Sequence, residues 1–96
     1  MDFNQFKASL TGKSPPDGVT PALEALWHQG KDDWETAHKV AQEIKDADGA
    51  WVHAHLHRVE GDESNAAHWY RRAGQPVSEV SLEREWSEIA AALLDA

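Results

Sequence analysis

Apolar residues recur at intervals of three and four along most of this chain, a spacing that predicts amphipathic helices. The most regular stretch is Gly61–Pro76. Within it, Ala66, Trp69, Tyr70 and Ala73 fall on one side of a helix. A stripe of alternating small and aromatic residues favours the close approach of a second helix. The pattern therefore predicts stacked helices with a surface suited to binding.

Turn and capping residues divide the rest of the chain into further helices, and no stretch of any length has the pattern of a strand. Because Ala50–Glu60 is apolar over most of its circumference, we expect it to be the central helix. Asp48 and Gly49, just before it, predict a turn. The chain is predicted to begin with a short helix around Phe3, Phe6 and Leu10, followed by a loop over Thr11–Gly18. The other predicted helices cover Pro21–Gln29, Asp32 or Asp33 to about Lys45, Ala50–Glu60, Asp62–Ala73, and Ser78 or Ser81 to about Leu94. The apolar stripe of the last helix consists of Leu82, Trp86, Ile89 and Leu93.

Two segments of the chain share one pattern of turn, acidic cap and alanine. They are Asp32–Ala37 and Gly61–Ala66, and their separation lies in the range of solenoid repeats. The pattern resembles the second-helix half of tetratricopeptide-like and Sel-like repeats over about Pro21–Pro76. The segments ALWHQGKDDWETAH and NAAHWYRRAG are also similar to a small uncharacterised bacterial family, from which no activity carries over.

This resemblance implies an all-α fold with a tetratricopeptide-like double helical hairpin, a short N-terminal helix and a C-terminal capping helix. Residues 1–96 would then form one domain, with an N-terminal arm and loop over 1–20, two hairpins over 21–76 and the capping helix over 77–96. The resemblance further implies a scaffold that binds other proteins, since each hairpin needs a neighbour to bury its apolar stripe.

Composition narrows the choice of partner and compartment. The net charge is −8, which disfavours nucleic acid as a partner, because nucleic-acid binding needs a basic surface. The chain has no cysteine, so it has no disulfide and no thiolate metal site. Neither a membrane-spanning run nor a signal peptide is visible in the sequence. We therefore expect a cytoplasmic protein that does not bind membranes.

Histidines are the strongest candidates for chemistry. His53 and His57 are spaced i, i+4, so they share one helical face and together could chelate Zn or another divalent transition metal. Glu60, one turn further on, could add an oxygen ligand, and His38 or His68 could complete the site. The alternative is that these histidines are solvated on an exposed strip or hydrogen-bonded where helices meet, with no cofactor bound.

Arginines near these histidines suggest a binding surface for a protein or peptide. Arg58, Arg71 and Arg72 could clamp carboxylates, and together with His53, His57 and Glu60 they would read an acidic or polar peptide. The alternative is that the arginines pair within the chain, with Glu60, Glu63 and the acidic last helix.

The remaining polar and aromatic residues suggest packing, not catalysis. His55 is expected to be buried or half-buried, with a backbone or hydroxyl partner, and Trp27 and Trp51 could line a groove. The chain has neither a glycine-rich phosphate loop nor a serine nucleophile elbow. The first hypothesis is thus a non-catalytic protein-interaction module. The alternatives are a metal-binding protein or metalloenzyme, and a homodimer formed through residual aromatic surface.

Overall fold

The structure is a computed structural model that describes residues 1–95, and within that range it contains helices and no strand. The all-α class predicted from the sequence is thereby confirmed. The helices, which we number α1 to α6, are Phe3–Ala8, Pro21–Gly30, Trp34–Gln42, Ala47–Val59, Glu63–Ala73 and Leu82–Leu94. A short 3-10 turn, Ser9–Thr11, follows α1. None of the helices in residues 1–95 has the length and apolar character needed to cross a membrane.

Side-chain caps fix where the helices begin. Each of the six starts after a residue whose side chain accepts a hydrogen bond from a backbone amide in the first turn, and these residues are Asp2, Thr20, Asp33, Asp46, Asp62 and Ser81. Gly74 ends α5 with a φ of 71°, a left-handed conformation that favours glycine. Of the two predicted caps for the last helix, Ser81 is the one used.

The boundary between α3 and α4 differs from the prediction. Helix α3 ends at Gln42 instead of near Lys45, and α4 begins at Ala47, so the predicted turn at Asp48 and Gly49 lies inside α4. The cause is Asp46, which caps α4 through the amide of Gly49 at 2.9 Å. A Cβ on Gly49 would lie 2.3 Å from Cγ2 of Ile44, so only glycine lets the chain fold back this tightly.

Helix α4 lies at the centre of the molecule and contacts α2, α3, α5 and α6, as its nearly continuous apolar surface predicts. Helix α2 also packs against α3, and α6 contacts both α1 and α2.

Trp27 is 1% exposed, so the expectation that it might line a groove is wrong. Leu82 is 39% exposed and lies outside the core, whereas Trp86, Ile89 and Leu93 on the same predicted stripe are buried. The final residue of the predicted capping segment, Ala96, lies outside the described residues.

Small residues allow α4 and α5 to approach closely. Ala54 of α4 and Ala66 and Tyr70 of α5 form one buried cluster, against which Trp51 and Trp69 pack. The predicted α5 stripe is thus buried at Ala66 and Tyr70, and its other two members are half-buried.

We expect Ala66→Leu to lower the free energy of unfolding by about 1–3 kcal/mol, because the added carbons have no room between α4 and α5. Urea denaturation would measure the change. Ala91→Leu is the control, because it makes the same substitution at an exposed position of α6. Equal midpoints for wild type and Ala66→Leu would show that the α4–α5 contact has free space.

Candidate metal centre

Three histidines converge where α3 packs against α4. His53 and His57 lie one turn apart on α4, and His38 lies on α3. Nε2 of His38 and Nε2 of His53 are 3.1 Å apart. One ring nitrogen from each of the three histidines lies within 4.8 Å of the other two. Three imidazoles on two helices therefore meet at one point, which we call the histidine cluster.

Two histidines of the cluster, His53 and His57, are buried, so the expectation that they lie on an exposed strip is wrong. His53 is 5% and His57 8% exposed, because neighbouring helices cover this face of α4. The Trp69 ring of α5 stacks on His53 with centroids 3.8 Å apart, and the Trp34 ring of α3 stacks on His38 at 4.8 Å. Two indole rings thus pack against the cluster, one from α3 and one from α5.

Glu60 orients one of the three rings. Its Oε1 lies 2.6 Å from Nδ1 of His57. When Nδ1–H of His57 donates to this carboxylate, the lone pair is on Nε2, the nitrogen left for a metal. A histidine held by a carboxylate in this way is the usual supporting arrangement around a protein-bound metal.

A second grouping, formed by His57, Glu60 and Asp62, also brings three possible ligand atoms together. Asp62 caps α5, however, and its two carboxylate oxygens accept hydrogen bonds from the backbone and side chain of Asn65. Those bonds lower the pKa of Asp62. Because the carboxylate is already committed to the cap, the cluster of three histidines is the better candidate.

Burial and neighbouring charges keep two histidines of the cluster, His53 and His38, neutral at pH 7. Burial, followed by the nearby charges of His57 and His38, lowers the pKa of His53 to about 4. Burial is also the main cause of a lowered pKa at His38. Neutral imidazole is the form that binds metal, so His53 and His38 do not have to release a proton before they bind a metal at neutral pH.

The other proposed ligand, His68, lies outside the cluster. It is exposed on α5 and meets the Trp69 ring edge-on, with centroids 5.5 Å apart. Arg71 and Arg72 are exposed as well, and the Arg72 guanidinium lies 4.9 Å from the centroid of the Trp69 ring. These two arginines remain available to a partner.

Arg58 is used within the chain, as the alternative interpretation of the arginines predicted. Its Nη1 lies 3.1 Å from Oε1 of Glu85 on α6, and its Nη2 donates to the carbonyl of Val80. It is therefore not part of a free basic surface. The predicted pairing of an arginine with the acidic last helix is real, and it involves a single buried carboxylate.

That carboxylate, Glu85, is a residue that the sequence analysis did not single out. It is 2% exposed and accepts hydrogen bonds from Arg58, from Tyr70 and from Nδ1 of His55 at 2.7 Å. The expected backbone or hydroxyl partner of His55 is thus wrong. Burial raises the pKa of Glu85, but the hydrogen bonds from His55 and Tyr70 outweigh it and the net pKa is lowered. The same burial and the bond to Glu85 raise the pKa of Tyr70.

No family model, no curated protein and no solved structure matches this chain. The resemblance to tetratricopeptide-like repeats therefore stays a prediction, and function has to be inferred from the side chains that the fold brings together.

Proposed function

We propose that this protein binds a divalent transition metal, with Zn²⁺ as the best candidate, through His38, His53 and His57. The observation that supports the proposal is the convergence of three ring nitrogens within 4.8 Å of one another. In a tetrahedral zinc site with Zn–N bonds of about 2.0–2.1 Å, the nitrogens lie about 3.3 Å apart. The pair His38 and His53, at 3.1 Å, already has nearly this separation.

The surroundings of the cluster support the same assignment. Imidazole nitrogen suits Zn, Cu and Ni more than Mg or Ca, which prefer oxygen ligands. Glu60 holds the His57 ring from outside, and Trp34 and Trp69 limit the access of water. Three protein ligands would leave a fourth position for water or another small ligand, as in zinc sites of the three-histidine type.

The test is a Zn²⁺ titration of protein that has been treated with a chelator, followed by calorimetry and by thermal unfolding. We expect a one-site isotherm and a rise in Tm, because a ligand that binds only the folded state stabilises it. At free Zn²⁺ about 100 times Kd, the gain would be about 2.7 kcal/mol. His57→Ala and His38→Ala should each abolish both effects.

His68→Ala is the matched control, because it removes an exposed histidine next to Trp69 without touching the cluster. It should bind Zn²⁺ as the wild type does. His38 is only half-buried, so His38→Ala should stay folded, which circular dichroism would verify. A wild type that shows weak, unsaturable binding, or an isotherm that survives in both cluster variants, would overturn the proposal.

The tetratricopeptide-like arrangement and the role as a protein-interaction module remain further proposals. The pairing of α2 with α3 and of α4 with α5 supports the first. The exposed Arg71 and Arg72 support the second, although Arg58 is no longer available to a partner.

A further inference from the structure

A cavity lies on the opposite side of α4 from the histidine cluster. His55 is two residues from both His53 and His57, which places it about 200° around the helix from each. It faces a cavity of about 370 Å³ lined by α2, α4, α6 and the N-terminal arm. This volume falls within the range of pockets that take small ligands. Its main lining residues are Leu10, Gln29, His55, Val59, Leu82 and Trp86.

The cavity combines apolar walls with an acceptor that lacks a donor. Leu10, Val59 and Trp86 supply aliphatic and aromatic surface. Oε1 of Gln29 is buried and has no hydrogen-bond partner within residues 1–95. A buried polar atom of this kind normally has a partner, so a donor from outside the chain is expected to supply it.

His55 adds a second acceptor. Its Nδ1 lies 2.7 Å from the Glu85 carboxylate, which fixes the tautomer with the proton on Nδ1 and the lone pair on Nε2. Among the described residues 1–95, Nδ1 is the ring nitrogen of His55 that makes a hydrogen bond. Nε2 is therefore left to accept one from a ligand in the cavity.

The charges at the rim favour a cation over an anion. Asp32 and Glu83 contribute two carboxylates, against the single ammonium of Lys7. Two acceptors inside and an acidic rim therefore select a ligand that donates hydrogen bonds and carries positive charge.

We propose that this cavity binds a small primary amine that carries an apolar or aromatic body. The ammonium donates to Gln29 and His55, and the body packs against Val59 and Trp86. Neither group belongs to the histidine cluster, so this site is independent of metal binding.

The probe for the test is 2-phenylethylamine, compared with 2-phenylethanol and phenylacetate, which have the same aromatic body and a neutral or acidic head. Binding would be followed in the presence of a chelator by ¹H–¹⁵N spectra and by calorimetry. We expect saturable shifts at the Gly30 amide and the Trp86 indole, with the amine binding at least about tenfold tighter than the alcohol.

Two variants locate the site. Gln29→Leu removes the orphan acceptor at similar volume and should weaken amine binding about tenfold and alcohol binding by less, because a charged donor forms the stronger hydrogen bond. Ser87→Phe should fill the cavity and abolish binding of both. Ala92→Phe, at an exposed position of the same helix, is the control and should bind normally. Absence of saturable shifts up to roughly 10 mM amine, where even very weak sites fill, or preferential binding of phenylacetate, would overturn the proposal.

Discussion

Replacing Glu85 with Ala is expected to lower the free energy of unfolding by about 3–5 kcal/mol, a large part of the total for a domain of this size. The substitution removes the hydrogen-bond partner of three side chains at once. Arg58 loses the carboxylate 3.1 Å away, His55 loses the partner of its Nδ1, and the Tyr70 hydroxyl loses its acceptor. A buried charge left without its partner costs far more than an exposed one.

Urea denaturation of the variants Glu85→Ala and Glu88→Ala compares the loss of a buried carboxylate with the loss of an exposed one on the same helix. Glu88 lies three residues further along α6 and forms an exposed pair with Arg84 at 3.2 Å. Exposed pairs of this kind contribute little, so Glu88→Ala should change the free energy of unfolding by less than about 0.5 kcal/mol. If the two variants lost the same small amount, α6 would be held by its apolar stripe alone and the buried network would add no stability.

A variant that replaces every polar side chain of the Glu85 network tests whether the network stabilises the fold or only fixes how α6 packs. In the variant Glu85→Leu, Arg58→Met, His55→Leu and Tyr70→Phe, all four polar side chains of the network are gone, and much of the stability should return. A full return would mean that the network serves to fix how α6 lies on α4 and α5. This variant also removes the His55 acceptor, so it should bind 2-phenylethylamine more weakly than the wild type.

The sequence predicted most of the helices because their signals are local. The predicted helix starts at Asp33, Asp62 and Ser81 are the caps of α3, α5 and α6. The α3–α4 boundary was mispredicted because Asp48 and Gly49 have the composition of a turn, whereas the decisive interaction is the cap at Asp46. The fit of Gly49 against Ile44 depends on how the chain folds back there, which no propensity encodes.

The sequence identified the residues of the candidate site but not how deeply they are buried. The i, i+4 spacing identified His53 and His57, and His38 was among the expected completing ligands. Their burial depends on Trp69 and Trp34, which stack on them from neighbouring helices. Glu85 had one visible signal, since it lies three residues after Leu82 and four before Ile89, on the apolar stripe of α6. A carboxylate on such a stripe indicates a buried partner.

Acid is expected to destabilise the metal-free protein by about 3 kcal/mol between pH 6.5 and pH 4 through His53 alone. The pKa of His53 is about 4 in the folded protein and has its ordinary value of 6.5 in the unfolded chain. Between those values the unfolded chain binds a proton and the folded protein does not, so stability falls as the pH falls. Below pH 4 both states are protonated and this loss is complete.

The groups around His53 set the size of this loss. Burial is the first cause, and the positive charges of His57, His38, Arg72 and His68 add to the cost of a proton on the ring. Glu60 acts the other way on the neighbouring His38, whose pKa it raises against the effect of burial. Because carboxylates such as Glu85 also titrate in acid, the informative quantity is the difference between wild type and His53→Gln.

Urea denaturation at pH 7, 5.5 and 4 in the presence of a chelator would measure that difference. The stability of His53→Gln should fall less steeply with acid than that of the wild type, whereas exposed His68→Gln should follow the wild type. Parallel pH profiles for wild type and His53→Gln would show that the ring takes up protons freely.

The same urea experiment with added Zn²⁺ tests the metal site, because protons compete with metal for the same nitrogens. The stabilisation by Zn²⁺ should therefore be largest near pH 7 and decline towards pH 4, and a gain that did not change with pH would place the metal on carboxylates instead of on His38, His53 and His57.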